Sequence, residues 1–447
     1  MTVEIKAVGG YNEVGKNMTA VKVGGDVVIL DMGIHLDNFI RHAEDEDKVN
    51  LKPEELINVG AVPNINVMDT WQQQVKAIIP THAHLDHVGA LPFLAQKYKA
   101  PIVATPFTTS VVSTMLRDDK IRIDNPIKTV SSNSVISISQ QIKAELVHVT
   151  HSTPQTVMAA LHTPEGVILY ANDFKFDLYP VLGKKPNFNR LQEIGKKGVL
   201  ALIVDSTYAH AAKKMPSESV AREMLRDVML GTDSRGKAMI VTTFSSHLAR
   251  LKSIIEFGRK LDRKIVFLGR SLAKYVYAAE DIGLVNMSGE ADIVRYSSQI
   301  RRRLKKIPQS QRHKYLFVVT GHQGEPKSTL SKIIDNQFDF TFKPEDHMIF
   351  SCTVIPTAMN EQNRDHLERI LKDRGVRIFR DIHVSGHAAR EDLRDLINLV
   401  KPKHIIPAHG NIQMTAALSD LATDMGYDAD NIHLMRNGQT TRLEKYK

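Results

Sequence analysis

The chain has 447 residues, 42% of them hydrophobic and 24% charged, with a net charge of +9; that is ordinary soluble globular composition, with room for two or three domains. Its one cysteine, Cys352, excludes an internal disulfide and leaves His, Asp and Glu to hold any metal. The opening MTVEIKAVGG is neither a signal nor a transit peptide, no apolar run nears the ~20 residues that span a bilayer, and the basic excess suits a polyanionic partner.

In chain order, the first two hundred residues read as short strands punctuated by turns. Val3 to Val8, Thr19 to Val23 and Val27 to Asp31 are apolar or alternating, and Gly9-Gly10 and Gly24-Gly25 separate them. Ile40 to Asn66 is charged, carries Pro53 and Pro63, and reads as an inserted excursion. The apolar run Val75 to Ile79 leads into a His-rich loop; Leu91 to Tyr98 is helix-compatible, and more strands follow, including Ala144 to Val149 and Val167 to Tyr170. Few long helices are expected here, so this half is sheet-dominated.

From about Val199 the pattern changes. The runs Leu200 to Asp205, Ala238 to Thr242, Lys264 to Leu268, Tyr315 to Val319 and His347 to Phe350 alternate with amphipathic stretches. Those stretches are Ser217 to Leu230, Ser245 to Leu261, Arg270 to Ile282 and Asn360 to Arg374. Alternation of this spacing predicts a parallel, doubly wound sheet. Arg390 to Lys447 returns to helix, strand and turn and contains His409, so the middle region reads as an insertion into the first.

The chemistry is concentrated in Thr81-His82-Ala83-His84-Leu85-Asp86-His87, where three imidazoles and a carboxylate follow a strand. Side chains two apart in extended backbone point the same way, so His82 and His84 can grip one cation while Asp86 and His87, past the bend, face a second. Neutral imidazole and carboxylate suit zinc and similar ions. Other apolar strands also end in donors: His151 after Val147 to Val149, Asp173 after Tyr170, and His409 after Ile405 to Ala408. His148 and His404 read as structural.

The run HAHLDHVGAL, with Asp31 in LDMG, resembles the signature of the metallo-β-lactamase superfamily, and His151, Asp173 and His409 match its later ligand motifs in order. Asp205-Ser206-Thr207, His387 in HVSGH and His409 look like the additional motifs of the β-CASP nucleases. NEVGKN, NDFKFD, TGHQGEP and HVSGHAAREDL followed by KPKHIIPAHG are similar to ribonuclease J, of the archaeal type given no further C-terminal domain.

The resemblance implies an α/β fold: a metallo-β-lactamase αββα sandwich over 1–207 and 386–447, with a doubly wound parallel-sheet β-CASP domain inserted at 208–385. It implies two divalent ions, zinc with manganese or magnesium as alternatives, held by His82, His84 and His151 and by Asp86, His87 and His409, with Asp173 bridging. Asp31 would orient the ligand loop by hydrogen bonds. Asp86 counts among the catalytic groups, with His387 as proton donor to the leaving 3′ oxygen or stabiliser of the scissile phosphate, and Asp205 orienting it. A plain turn role before Ser206-Thr207 is the other reading of Asp205. His383, Ser385, Ser246, Ser245 and Arg270, in loops beyond strand ends, would bind the 5′-phosphate and RNA.

The chain departs from the family's pattern at His247, where Asn is frequent, at His322, where Ser is usual, and after Val354-Ile355-Pro356, where Thr-Ala-Met-Asn-Glu replaces Gly-Asn-Glu. These bear on terminal-phosphate and base recognition. The run Arg301 to Lys306 reads as a solvated helix face, with an RNA-steering patch as the alternative. The expected activity is that of a metal-dependent, processive 5′-to-3′ exoribonuclease favouring 5′-monophosphate ends, cytoplasmic and homodimeric, in RNA decay or maturation. An endonuclease of the same superfamily and a non-catalytic RNA-binding scaffold are the alternatives.

Overall fold

The computed structural model describes residues 2–43, 50–355 and 357–443. Part of the Ile40 to Asn66 excursion and Pro356 of the Val354-Ile355-Pro356 motif lie outside the described residues. The chain divides into two compact units: 1–178, 184–215 and 385–447 form the first, and 179–183 with 216–384 the second.

In the first unit, short β-branched strands build two sheets. One has seven strands in the order Thr440–Leu443, Val3–Gly9, Met18–Val23, Asp26–Leu30, Val75–Ile79, Ile102–Ala104, Ile127–Thr129. The other has six: His404–Ala408, Val199–Asp205, Gly166–Ala171, Val157–Thr163, Lys143–His148, Val135–Ser137. Alternate side chains of both, among them Val21, Ile79, Leu146, Ile203 and Ile406, meet in one fully buried core. The outer face of the six-stranded sheet is covered by helices Phe188–Lys197, Arg390–Val400 and Ile412–Asp424 through Leu191, Leu396 and Leu418. Helix Pro106–Asp118 packs on the seven-stranded sheet, giving the helix–sheet–sheet–helix layering.

One expectation is corrected, the grouping of Val199–Asp205 with the doubly wound sheet by strand–helix alternation, whereas the bounds 1–207 had kept it in the first segment. Val199–Asp205 is not part of the inserted sheet; it runs parallel between Gly166–Ala171 and His404–Ala408 in the six-stranded sheet. A fully apolar strand buried on both faces looks alike in either setting, so its pattern carried no information about its neighbours. The first half also holds the 13-residue helix Pro106–Asp118. Its Thr and Val content suggests strand, but Pro106 at the first helical position announces a helix.

The second unit is one six-stranded, all-parallel sheet in the order Asp292–Val294, Lys264–Leu268, Tyr315–Val319, Met239–Thr242, His347–Phe350, Arg377–Phe379. One face packs against helices Ser297–Lys305 and Ala358–Asp373 through Ile300, Leu304, Leu367 and Leu371. Helices Glu218–Gly231, Leu248–Lys260 and Arg270–Glu280 provide further crossovers. Among the described residues no helix is long and apolar enough to cross a membrane.

Candidate metal centre

Four strand ends of the first unit converge on one point. After Val75–Ile79 the chain passes through Thr81 to His84 and makes a single helical turn, Leu85–Val88, carrying Asp86 and His87. The segment Met32 to Ile34 holds this loop down: Met32 N donates to His87 O (2.8 Å) and Ile34 N to Leu85 O (3.0 Å). Gly33 is needed because a Cβ there would lie 1.6 Å from the Asp86 carbonyl oxygen. Asp31 and His409, at the ends of their strands, both take left-handed backbone (φ +60° and +50°), a strained choice for non-glycine residues that concentrates at functional sites.

His82, His84, His151 and Asp173 form one donor cluster. His84 Nδ1 lies 3.1 Å from both His82 Nε2 and His151 Nε2, and Asp173 Oδ2 is 3.6 and 3.5 Å from those two. An ion with donors at roughly 2.0–2.1 Å in a tetrahedron sets them about 3.3 Å apart, so these spacings suit a first-row cation. Asp86, His87 and His409 form a second cluster around the other Asp173 oxygen. Asp173 Oδ1 is 3.3 Å from His87 Nε2 and 3.6 Å from His409 Nε2, and Asp86 Oδ2 is 3.5 and 3.7 Å from the same nitrogens. Asp173 Oδ1 is buried and accepts no hydrogen bond, which a bound cation would remedy. The two donor clusters thus share one carboxylate and can hold divalent metal.

The outer nitrogens are tied down and the inner ones face the shared carboxylate, His87 Nε2 also lying 3.1 Å from the Asn17 amide nitrogen. His87 Nδ1 meets Asp31 Oδ2 (2.7 Å), His151 Nδ1 meets the Gly386 carbonyl (2.7 Å), and His409 Nδ1 meets Asn17 Oδ1 (2.8 Å). A proton held on each Nδ1 by an oxygen acceptor leaves the Nε2 lone pair for a metal. Asp31 Oδ1 also accepts from Thr81 N (2.7 Å) and the Thr81 hydroxyl (3.0 Å). Asn17 was not singled out from the sequence, although NEVGKN contains it; nothing in a lone Asn marks it as the partner of a histidine 392 positions away.

Charge follows the same logic. Burial and the neighbouring imidazoles push His82 and His151 well below the usual range despite Asp173, and burial takes His84 to about 4, so all three are neutral donors. Asp173 stays ionised against its burial because His87, His409 and His387 surround it. Burial opposes protonation of His87 too, but Asp173, Asp86 and Asp31 outweigh it and hold a proton that a cation would replace.

His387 stands beside the shared carboxylate, Nε2 3.8 Å from Asp173 Oδ2, with Nδ1 2.8 Å from Asp205 Oδ2. The other Asp205 oxygen, Oδ1, accepts from Thr207 N and the Thr207 hydroxyl (each 2.8 Å). Burial opposes protonation of His387, but Asp173 and Asp205 raise its pKa to about 9. Ser385, also in the first unit, accepts from His387 N at 3.2 Å. The remaining phosphate-pocket candidates lie in the second unit: Ser245 and Ser246 beyond Met239–Thr242, Arg270 beyond Lys264–Leu268, and His383 beyond Arg377–Phe379, its ring 5.8 Å from that of Phe244. His404 pairs with His433 (Nδ1 to Nε2, 3.1 Å), and His148 Nε2 meets the Lys184 carbonyl.

Comparison with known proteins follows the same division. Residues 11–193 match the metallo-beta-lactamase superfamily, 236–368 the ribonuclease J beta-CASP domain, and 376–434 the Zn-dependent metallo-hydrolase RNA specificity domain. Ribonuclease J of Methanocaldococcus jannaschii is 44% identical over 447 residues, covering 100% of both chains. The chain belongs to the ribonuclease J family. Ribonuclease J of Pyrococcus abyssi is 39% identical, over 99% of this chain and 97% of its own, and ribonuclease J 1 of Streptococcus pyogenes is 29% identical, over 99% and 74%. The fold extends further: a crystal structure of a protein of unknown function from Enterococcus faecalis superimposes with a TM-score of 0.65 at 16% identity, covering 99% of this ribonuclease J family chain and 100% of that one.

Proposed function

We propose that this metal-dependent ribonuclease removes nucleotides processively from the 5′ end of single-stranded RNA, favours a 5′-monophosphate, and works with two divalent ions. The observation that carries the reading is the division of one carboxylate, Asp173, between two donor clusters with the His387 imidazole beside it. His82, His84 and His151 would hold one ion and Asp86, His87 and His409 the other; the nitrogen-rich set favours zinc, and its carboxylates admit manganese or magnesium. Such a pair supplies a water acidified towards neutral pH and offsets charge on the attacking and leaving oxygens.

The chain's own groups do the rest. Asp31, Asn17 and the Gly386 carbonyl aim the imidazoles. Asp205 fixes the His387 ring with its protonated Nε2 towards Asp173, from where it gives a proton to the departing 3′ oxygen. Ser246, Ser245, Ser385, His383 and Arg270 are the groups we assign to the terminal phosphate and the RNA backbone; small hydroxyl-bearing loops beyond parallel strands allow close approach. A homodimer in the cytoplasm belongs to the same reading.

RNA labelled at the 5′ end and carrying a monophosphate, a triphosphate or a hydroxyl tests it. Labelled mononucleotide should be the first product, released fastest from the monophosphate. Internal fragments without mononucleotide would replace the exonuclease reading with the endonuclease one.

A further inference from the structure

The parallel sheet of the second unit places six carboxyl-terminal strand ends in a row, ~24 Å long at the usual strand spacing of about 4.8 Å. One end of that row is unlike the rest. Asp292–Val294 runs out into Arg295 and Tyr296, and the next strand into Gly269 and Arg270; Gly269 N donates to Val294 O at 3.0 Å, joining the two turns. Tyr296 is 48% exposed, and the Arg295 guanidinium sits 5.0 Å from its ring centroid. Helix Ser297–Lys305 follows, burying Ile300 and Leu304 and so turning Arg301, Arg302 and Lys305 outward, with Lys306 just beyond.

These four cations differ from others of the unit. Arg226, Arg235, Arg259 and Arg303 each pair with a carboxylate. Arg301, Arg302, Lys305 and Lys306 have no carboxylate partner among the described residues. Like charges four apart on a helix repel, and these form two such pairs, 301 with 305 and 302 with 306. The helix dipole favours cations in the last turn but does not require four of them. An exposed aromatic ring at the start of a helix whose outer face carries cations without a carboxylate partner among the described residues suits single-stranded nucleic acid, rings stacking on bases and cations meeting phosphates.

We propose that the Tyr296 turn and the outer face of the helix that runs back from it towards the amino edge of the sheet form a second contact site for single-stranded RNA, beginning beside Arg270 and leading away from the other terminal-phosphate groups: Tyr296 stacks a base while Arg301, Arg302, Lys305 and Lys306 neutralise phosphates of the same strand. This rests on RNA being the substrate and extends it to nucleotides beyond the 5′ end. The site sets affinity for long RNA and leaves the chemical step alone.

Binding and turnover are measured together for 5′-monophosphorylated RNAs of about 4 and about 16 nucleotides, the range of single-strand site sizes, using uncleavable backbones for the binding arm. Tyr296→Ala and the double variant Arg301→Ala/Arg302→Ala should each weaken the long RNA by roughly 10-fold in Kd and KM, leave kcat unchanged, and leave the short RNA unaffected. The double variant should also lower the slope of log affinity against log salt by about 0.7 for each phosphate that is no longer neutralised. Arg235→Ala, exposed and paired with Asp233 ahead of the amino end of Met239–Thr242, should change nothing. Unchanged long-RNA affinity and salt slope overturn the proposal, as does equal weakening of the short RNA. A wild type that binds RNA but never cleaves it would sink the catalytic reading instead, with the binding arm still deciding this one.

Discussion

Asp31→Asn isolates how the protein prepares a ligand without touching one. Asp31 is fully buried, accepts from Thr81 N at 2.7 Å through Oδ1 and from His87 Nδ1 at 2.7 Å through Oδ2, and has φ +60°. Asparagine has the same shape and tolerates left-handed backbone, so the loop keeps its path. What changes is one donor. If the amide oxygen keeps Thr81, the amide nitrogen faces His87 Nδ1 and drives the ring proton to Nε2, the atom 3.3 Å from Asp173 Oδ1. If the amide turns over, its N–H₂ meets the Thr81 N–H and one buried donor goes unpaired, costing about 1–3 kcal/mol. Loss of an orienting partner typically weakens a metal ligand set 10–100-fold, or about 1.4–2.8 kcal/mol. Competitive chelator titration of the metal-free protein should therefore show this loss for one of the two proposed ions, the one beside His87, with the other unaffected. Equal affinity and stoichiometry for variant and wild type would refute the argument that the Asp31 carboxylate sets the tautomer of His87.

Asn17→Ala should lower metal affinity about 10-fold or more in the same titration by freeing the His409 ring; unchanged affinity would remove Asn17 from the orienting groups. His387→Ala should cost roughly 10²–10⁴ in kcat with metal content by elemental analysis unchanged; loss of metal would make His387 a ligand instead. Burial opposes ionisation of Glu145, but its hydrogen bonds to His162 and Arg190 outweigh that and hold it at about 2. A carboxyl depressed in the folded state adds stability above its unfolded pKa and loses it as pH falls from about 4.5 towards 2. Glu145→Gln should cost about 1–2 kcal/mol at pH 7, the partners' 20–24% exposure trimming the effect, and urea melts should show the gap narrowing below about pH 4.5 and closing towards about pH 2; a gap constant with pH would sink this one.

The candidate ligand residues were legible because their grammar is local. An apolar run fixes a strand, and the donor comes within a few residues of its end; this holds for His82, His151, Asp173 and His409 alike. Motif resemblance added what periodicity could not, the order in which distant strand ends meet. The orienting contacts were less legible. Asn17 and the Gly386 carbonyl act on histidines 392 and 235 positions away, and neither an asparagine nor a backbone oxygen leaves a compositional trace. The misplacement of Val199–Asp205 has the same root: VLALIVD says that the strand is buried on both faces, and only pairing with Gly166–Ala171 and His404–Ala408 says where.

That pairing is also what brings the chemistry together. Val199–Asp205 lies directly between the strands that end in Asp173 and His409, and it carries Asp205 at its own end. Three parallel neighbours therefore deliver the shared carboxylate, the partner of His387 and the last imidazole to one edge of one sheet. The backbone of His409 then bends into the left-handed region, where its N–H donates to the Gly10 carbonyl at 2.7 Å and its ring turns towards Asp173. Slipping Val199–Asp205 by one residue would send Asp205 to the opposite face of the sheet and leave His387 without its acceptor, so the register of an entirely apolar strand governs the protonation of an imidazole 182 positions downstream.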